Sequence, residues 1–449
     1  MSGMVDALRG KDELISLTDN DVSLIASIIN ATCICGFFVI ALLGEKFGRR
    51  HAISIISVPV LASYIMIYFG KDKTTFILSR IMVGISYGGV LVLTYITTAE
   101  YTNPTKRTVY VNVISSLGPT IGTALGHILS VLLPWRTVAL IGLIPTGLSA
   151  LLPFFWVESP PWLASQGKYE ECMAAFRRIH GKNKISEREL KMLIETERNK
   201  RYEISLQRQN NSFTSNKLKN AIKQKCFWKV VKLGIIINIY KIFAGKVMFN
   251  TLAITMLQEI TGSSNIILFT FVVDGFILLG SGLSFFFLYK MKMRPLLFSL
   301  AITGNLTLLL LSTCLYFIPR DYAYYSWINI SLLAIYFIIT YSGPYSVTDI
   351  YLSEIFPLDV KLFSSLLVCL VVAIISFLNI YLAQSMFTAM GYHGTFLINA
   401  VIISMCLTYL WLYLPETKGR TLQEIEMYFK NNKFADEPKL FEDQAVELL

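Results

Sequence analysis

The stretch Val22–Arg50 reads VSLIASIINATCICGFFVIALLGEKFGRR. Its first part, Val22–Leu43, carries no charge and is long enough to cross a bilayer, because about 20 apolar residues span the hydrocarbon core as a helix. A turn with three basic residues follows at once. Comparable apolar stretches recur at Leu296–Ile318 and Thr395–Leu414. The pattern predicts a chain that crosses a membrane many times.

The composition excludes a large water-soluble enzyme. The chain has 449 residues, of which 54% are hydrophobic and 16% charged, whereas about 25% are charged in a typical soluble domain. We therefore predict an all-α polytopic membrane protein. Its eleven expected spans lie at about 22–43, 51–69, 76–98, 108–132, 137–156, 230–258, 264–288, 295–318, 325–353, 362–386 and 393–414.

These spans divide the chain into four parts. Residues 1–156 form an N-terminal bundle of five spans, and 230–414 form a C-terminal bundle of six. Between them, 157–229 is a loop in which Trp162–Lys200 has the apolar periodicity of short amphipathic helices, and Gln207–Lys225 is a polar linker. Residues 415–449 form a tail.

The charges of the loops predict the orientation. Loop 157–229 contains 16 Lys and Arg against 8 Asp and Glu, which is most of the chain's net charge of +10. By the positive-inside rule this loop and the tail are cytoplasmic, and the start of the chain is extracellular. We expect a multi-pass protein of the cell membrane whose basic loops contact anionic lipid heads. Without a recognition motif, the basic charge does not indicate nucleic-acid binding.

Three motifs recur about 250 residues apart, each at the end of a span on the predicted cytoplasmic side. Gly44–Arg50 has a weaker counterpart in Tyr289–Pro295. The other related residues are Glu100 and Glu354, Arg107 and Lys361, and Glu158 and Glu416. Such a repeat indicates two duplicated bundles, which is a transporter architecture. Two spans precede the basic motif in the second half and one in the first. We therefore expect the first half to lack its first helix, either as an incomplete product or as a natural eleven-helix protein.

These motifs resemble those of the sugar porter family of the major facilitator superfamily, in particular insect facilitated trehalose transporter-like proteins. The resemblance extends to about residue 425. The segments that carry it are Leu17–Asp19, Gly44–Arg50, Arg80–Gly88, Glu100–Arg107, Trp135–Arg136, Glu158–Leu163, Arg294–Leu297, Glu354–Pro357 and Pro415–Leu422. It implies two pseudo-symmetric helical bundles that alternate between outward-facing and inward-facing states.

The resemblance also implies a cytoplasmic gate in which carboxylates and basic groups pair across the seam between the bundles. The residues expected in it are Glu45, Arg49, Arg50, Glu100, Arg107, Glu158, Arg294, Glu354, Lys361 and Glu416. The alternative is that they are ordinary interfacial charges. The second-half copy has Tyr289 where the family has an acid and Lys292 where it has glycine, so this half of the gate is expected to be weaker.

The substrate site is expected to differ from that of hexose porters. Where the family has a Gln-Gln-x-Ser-Gly-x-Asn stretch, this chain has Lys241–Val247, of which only the glycine matches. Charges within spans are costly and usually pair or line water, so Lys241 with Asp274 or Asp349 is either a polar or proton-linked site or a structural pair. The candidate substrate contacts are Ser115, Lys241, Asn250, Asp274, Tyr341, Asp349, Ser376 and Asn379.

Other small residues are expected to shape the bundles. Gly84, Gly88, Gly118 and Gly122 are predicted to allow close helix packing. Pro119 and Pro344 are predicted to break helices near the cavity.

Three functional hypotheses remain. The first is a facilitative carrier of trehalose or a hexose that works by alternating access. The second is a proton-coupled carrier of another small solute, and the third is a non-transporting sensor or inactive paralogue. An enzyme is not expected, because no metalloprotease, hydrolase or phosphate-loop motif is present. No motif calls for a cofactor or a metal ion.

Overall fold

A computed structural model describes Met4 and residues 18–102, 109–207, 225–262, 266–322, 324–356, 361–418, 420 and 422–431. Within these ranges the regular structure is helical and no strand occurs, which confirms the all-α prediction. The expected absence of a first helix concerns the start of the chain, where only Met4 is described before Thr18. The predicted linker Gln207–Lys225 lies outside the described residues except at its two ends.

Five α-helices of the first half have both ends among the described residues. They are α1 (Asp19–Lys46), α2 (Gly48–Phe69), α3 (Lys73–Tyr101), α4 (Gly118–Leu132) and α5 (Trp135–Leu151). A capping box starts α1: the Asp21 N–H donates to the Thr18 hydroxyl at 3.3 Å, and the Thr18 N–H donates to the Asp21 carboxylate at 3.2 Å. Two groups that a helix start leaves without partners are thereby satisfied.

Glycines let α1 and α3 approach closely. A Cβ atom added at Gly84 would lie 1.9 Å from Thr32 Oγ1, and one added at Gly88 would lie 2.0 Å from the Cys33 carbonyl oxygen. No side chain fits at such distances, so the predicted packing role of these two glycines is confirmed.

The same prediction is wrong for the two glycines of α4. A Cβ at Gly122 would have no described atom within 4 Å, and one at Gly118 would meet only the Val113 carbonyl oxygen, at 3.5 Å. The reason is that this face of α4 points away from the rest of the structure, as Leu125, with 56% of its surface exposed, shows.

The break predicted at Pro119 is wrong. A π-helical turn, Val113–Leu117, runs directly into α4, and the backbone angles of Asn112, Leu117 and Gly118 are helical. Proline has no N–H group to donate, and a local π-helical turn is one way in which a membrane helix continues past a proline.

Three helices follow where the sequence predicts amphipathic ones: α6 (Pro160–Ser165), α7 (Tyr169–His180) and α8 (Lys184–Gln207). They enclose a small apolar core of their own, which includes Cys172 and Phe176. Arg177 on α7 also clamps Glu187 on α8, with Nε 2.6 Å from Oε1 and Nη2 3.0 Å from Oε2.

The second half contains the remaining helices. They are α9 (Lys225–Phe243), α10 (Lys246–Thr261), α11 (Ile267–Lys290), α12 (Met293–Phe317), α13 (Tyr325–Ser342), α14 (Pro344–Glu354), α15 (Lys361–Tyr413) and α16 (Leu422–Asn431). Two of them follow breaks. Gly245, with φ of +88°, separates α9 from α10, and Gly343 with Pro344 separates α13 from α14, as predicted for Pro344.

Eight helical segments of the described chain are long and apolar enough to cross a membrane. One of them, Ser364–Tyr413, has 50 residues and covers the last two predicted spans, which meet at a non-helical Gly391. The predicted span 230–258 is interrupted at Gly245, whereas 109–132 is helical throughout and contains the π-helical turn.

Candidate functional site

Motif residues of the first half form a connected network at one end of α2 and α3. The Arg49 guanidinium holds the Glu100 carboxylate through two bonds, Nη2 to Oε1 at 2.8 Å and Nε to Oε2 at 3.0 Å. The pair is largely buried, with 18% and 14% of the two side chains exposed. The Ser159 hydroxyl donates to Glu100 Oε2 at 2.7 Å. Two parallel bonds fix the direction of the carboxylate as well as its distance.

Glu158 caps the start of α2. Its Oε1 accepts the backbone N–H groups of Arg49 at 2.9 Å and of Arg50 at 3.3 Å. Gly48 makes room for the carboxylate: its φ is +86°, and a Cβ there would lie 2.5 Å from Glu158 Oε2. A carboxylate is favoured at this position because the first N–H groups of a helix carry partial positive charge.

The second half repeats this cap. Glu416 accepts the backbone N–H groups of Met293 at 3.1 Å and of Arg294 at 2.9 Å, at the start of α12. The Arg294 guanidinium donates to the Trp411 carbonyl oxygen at 2.5 Å, as Arg50 donates to the Trp156 carbonyl oxygen in the first half. The repeat read from the sequence is thus also a repeat of hydrogen bonds.

The two halves differ at one position of this network. Met293 stands where Arg49 stands in the first half, so the arginine that holds Glu100 is not repeated at this position of the second half. The Thr417 hydroxyl lies 3.7 Å from the Met293 sulfur, whereas the equivalent Ser159 meets a carboxylate.

Lys418 adds contacts of another kind in the second half. Its ammonium donates to the carbonyl oxygens of Leu288, Tyr289 and Met291 at 2.7–2.9 Å, where α11 ends. A cation at this end suits the partial negative charge of the last carbonyls.

The other expected gate residues are placed as follows. Glu45 is exposed, and its backbone carbonyl oxygen accepts the Trp162 indole N–H at 3.1 Å. Glu354 ends α14. Arg107 and the side chain of Lys361 lie outside the described residues. The contacts given above for Glu100 and Glu158 stay in the first half, and those of Glu416 stay in the second, so pairing across the seam remains a prediction.

The two halves meet at an apolar contact between α1 and α15 and along a seam of polar contacts between α11 and α4 with the residues just before it. The pairs are Asn112 Nδ2 to Ser284 Oγ at 2.9 Å, Ser281 Oγ to Thr120 Oγ1 at 3.3 Å, and His127 Nδ1 to Asp274 Oδ1 at 3.1 Å. Their spacing of seven or eight residues along the first half corresponds to about two helical turns, which keeps them on one face.

His127 is the member of this seam contributed by the first half that faces a carboxyl group. Its Nδ1 faces both oxygens of Asp274, at 3.1 and 3.2 Å, and its Nε2 lies 3.4 Å from the Asn250 carbonyl oxygen. The contact with Asp274 forms with the proton on either residue, because an N–H group of the ring donates to a carboxylate and a protonated carboxyl group donates to a ring nitrogen. Only 3% of the Asp274 side chain is exposed.

Lys241 pairs with Asp349, one of the two partners that the sequence leaves open. Its ammonium forms an ion pair with Asp349 on α14, and 22% and 7% of the two side chains are exposed. The alternative pairing of Lys241 with Asp274 is wrong, because His127 occupies that carboxylate from the opposite half of the chain.

The break between α9 and α10 is held by two tyrosines. The hydroxyls of Tyr336 and Tyr345 each donate to the Ala244 carbonyl oxygen at 2.8 Å. This carbonyl is one that the interrupted helix leaves free, and buried polar groups at a break need such partners. The break also makes Lys246 the first residue of α10, the end of the helix with partial positive charge.

A small cavity lies where the seam meets this break. Its lining comes from both halves of the chain: Pro119, Thr120, Thr123, Lys246, Asn250, Asp274, Ile277 and Tyr341. It has room for about one water molecule. The Lys246 ammonium lies 5.4 Å from the ring centres of Tyr341 and Tyr345, within the range of a cation–π contact. In this conformation the cavity is closed around these groups.

Three of the predicted substrate contacts, Asn250, Asp274 and Tyr341, line this cavity. Lys241 and Asp349 pair nearby without lining it. Ser115 lies in the π-helical turn, and Ser376 and Asn379 lie on α15; none of the three is among the described lining residues. Their contact with substrate stays a prediction.

Sequence reasoning missed His127, Thr120 and Thr123, and it did not place Lys246 at a helix start. A histidine inside an apolar span was the available signal for His127. Its partner could not be inferred, because the two residues are 147 positions apart and belong to different bundles.

A family model described as sugar (and other) transporter matches residues 5–429. Among known proteins, Sugar transporter ERD6-like 6 of Arabidopsis thaliana is 24% identical over 433 residues, which cover 93% of this chain and 84% of that protein. Sugar transporter ERD6-like 7 of the same plant is 26% identical over 422 residues, with 92% and 86% covered.

Solved structures show the same similarity in three dimensions. The major facilitator superfamily proton:xylose symporter XylE bound to 6-bromo-6-deoxy-D-glucose superposes with a TM-score of 0.75 at 20% identity, covering 95% of this chain and 94% of that chain. The inward open conformation of the xylose transporter XylE from E. coli gives 0.73 at 18% identity, with the same coverage. At these identities the likeness shows a shared fold.

Proposed function

The chain belongs to the sugar (and other) transporter family of the major facilitator superfamily, and from this premise we propose that it carries a sugar across a membrane by alternating access. The observation that carries the proposal is the cavity lined jointly by α4 of the first half and by α10, α11 and α13 of the second. A site shared by two bundles changes its access when one bundle rocks against the other. The family relatives are transporters and not enzymes.

The networks at the helix ends support rocking of two stiff bodies. Glu158 ties the start of α2 to the segment after α5, and Glu416 ties the start of α12 to the segment after α15. Such contacts keep the helices of each half in register while the seam between the halves opens. Pairing of Glu100, Glu354 and their neighbours across the seam in the outward-facing state belongs to this proposal.

The orientation is proposed from the loop charges. The basic ends that carry Arg49, Arg294 and the helices α6–α8 face the cytoplasm, and so does the tail, in a chain of the cell membrane. The start of the chain is then extracellular.

The substrate is proposed as a sugar of the size of a hexose or trehalose. The relatives named above are plant sugar transporters, so they do not support a particular closeness to insect trehalose carriers. The donors and acceptors at the cavity, Thr120, Thr123, Asn250 and Asp274, suit hydroxyl groups, and the Tyr341 ring supplies an apolar surface for a sugar face.

Coupling to protons is the second candidate function. The observation that favours it is His127, whose two ring nitrogens both face acceptors. If the seam parts, His127 leaves Asp274, and the pair is free to lose a proton to one side of the membrane. The groups that face His127 are the Asp274 carboxylate on α11 and, on α10, the Asn250 carbonyl oxygen and the Phe249 ring.

Uptake by the full chain in proteoliposomes tests these candidates. Glucose, xylose and trehalose are offered with and without an inward proton gradient. Sugar entry that does not depend on the proton gradient supports facilitated transport. Accumulation of sugar above equilibrium that a protonophore abolishes supports coupling to protons. A folded, monodisperse preparation that moves none of these sugars would contradict the proposal and favour a sensor or inactive paralogue.

A further inference from the structure

The inference concerns Lys246, whose charge the cavity leaves unmatched. Two carboxyl groups lie near the cavity, and each already has a partner: Asp349 pairs with Lys241 and Asp274 with His127. Among the residues that the structure describes, no carboxylate lies within ion-pair distance of Lys246. Its ammonium faces the rings of Tyr341 and Tyr345 instead.

A cation inside a membrane protein is costly unless it pairs, faces water or has a ligand. Two aromatic faces compensate this cost only in part, since a cation–π contact is weaker than an ion pair out of water. The charges around the cavity thus sum to one surplus positive charge when the His127–Asp274 pair is neutral overall, with its shared proton on either residue.

A second polar group lies beside the ammonium. Asn250 is one turn further along α10 than Lys246 and lines the same cavity. The cavity therefore offers a cation with an amide next to it.

Resting on the proposed function, we infer that the substrate is a sugar acid, a monosaccharide that carries one carboxylate. The carboxylate binds the Lys246 ammonium. The hydroxyls donate to Asp274 and exchange bonds with Asn250, Thr120 and Thr123, and the ring packs on Tyr341. One surplus positive charge matches a monoanion, and it leaves a sugar phosphate with its two negative charges only half compensated.

Competition on the unmodified protein tests this without any variant. Proteoliposomes that contain the full chain are offered radiolabelled D-glucuronate or D-glucose, with unlabelled glucuronate, glucose or glucose 6-phosphate as competitors. We expect glucuronate to enter at least tenfold faster than glucose at equal concentration. Unlabelled glucuronate is expected to suppress this entry at concentrations at least tenfold lower than the other two competitors.

Variants then assign the effect to Lys246. Lys246→Gln is expected to lower glucuronate uptake at least tenfold, and Lys246→Arg to keep at least a third of it. Lys232→Gln is the matched control, because it removes a charge from an exposed position of α9 in the same interrupted helix. Its uptake is expected to stay within twofold of the unmodified chain.

The possible failures are distinguishable. Entry of glucose without entry of glucuronate or competition by it overturns the inference and leaves sugar transport standing. Equal competition by glucose 6-phosphate overturns the assignment to a monocarboxylate. Normal glucuronate uptake by a folded Lys246→Gln chain removes Lys246 from the site. Entry of neither sugar from a folded preparation overturns both the inference and the proposed function.

Discussion

Glu158 and Glu416 occupy equivalent places in the two halves, 258 residues apart, and each accepts two consecutive backbone N–H groups at the start of a membrane helix. Neither carboxylate has a guanidinium as its partner in these bonds. These two acidic motif residues therefore act first as helix caps, and any part they take in gating is added to that role.

Removal of either cap is expected to destabilise the protein. Glu158→Ala and Glu416→Ala each leave two N–H groups at a helix start without an acceptor, and hydrogen bonds to charged groups contribute about 1.5–3 kcal/mol. The thermal midpoint of the purified protein should fall in both variants. Glu195→Ala, at an exposed position on α8, is the control and should leave the midpoint unchanged. An unchanged midpoint in Glu158→Ala would show that the cap is not needed.

The ion pair between Arg49 and Glu100 is expected to show coupling in a charge-swap cycle. Arg49→Glu places two carboxylates together and Glu100→Arg places two guanidinium groups together, so each single variant should lose about 1–3 kcal/mol of stability. The double variant restores opposite charges and should recover at least half of the loss. Additive losses in the double variant would mean that the two side chains act independently.

The pair of His127 and Asp274 at the seam is expected to behave as a buried ion pair. His127→Ala leaves the Asp274 carboxylate in an apolar environment without a cation, and breaking such a pair costs about 3–5 kcal/mol. Adding Asp274→Asn to His127→Ala removes the stranded charge, so the double variant should be more stable than His127→Ala alone. The measurement is the thermal midpoint in detergent. A double variant that is less stable than His127→Ala would rule out this charge balance.

The effect of a glycine-to-alanine substitution on stability should depend on the space around the glycine. Gly88→Ala forces the backbones of α1 and α3 apart, since the new methyl group would meet the Cys33 carbonyl oxygen at 2.0 Å, and overpacking costs about 1–3 kcal/mol. Gly122→Ala meets nothing within 4 Å among the described atoms and should be neutral or stabilise α4 by about 0.5–1 kcal/mol. Equal losses in the two variants would contradict the packing described for α1 and α3.

Cys172 should react slowly with alkylating reagents in the folded protein. Burial in the core of α6–α8 raises the pKa of its thiol above the ordinary value, and the thiolate is the reactive form. In a chain whose other six cysteines are serine, labelling at pH 8 should be at least tenfold slower than after denaturation. As the pH rises through the pKa of the unfolded thiol, ionisation favours the unfolded form, so this part of the chain should lose stability there. Labelling as fast as in denaturant would show that Cys172 is accessible.

Local patterns predicted most of the fold. Apolar length marked the spans, Pro344 marked a break, and the acidic motifs marked helix ends that Glu158 and Glu416 do cap. Each of these signals lies within a few residues of the structure it produces, because helix ends and breaks are decided by short-range hydrogen bonding.

The seam could not be predicted in the same way. Asp274 was expected near Lys241, which is 33 positions away in the chain, whereas the structure pairs it with His127 from the other half. Which faces of two bundles meet depends on the packing of all their helices. A single sequence indicates that a carboxylate inside a span needs a partner, but it does not indicate which residue is that partner.

The hydroxyl and amide contacts between α4 and α11 have a consequence for how fast the molecule can change state. Ser281, Ser284, Thr120 and Asn112 can each exchange a partner across the seam for water as it enters, and such an exchange costs only about 0.5–1.5 kcal/mol for each bond. An interface of interlocked aliphatic side chains would instead have to expose apolar surface all at once. The polar contacts between α4 and α11 can separate one after another, so their share of the activation barrier is divided into small steps.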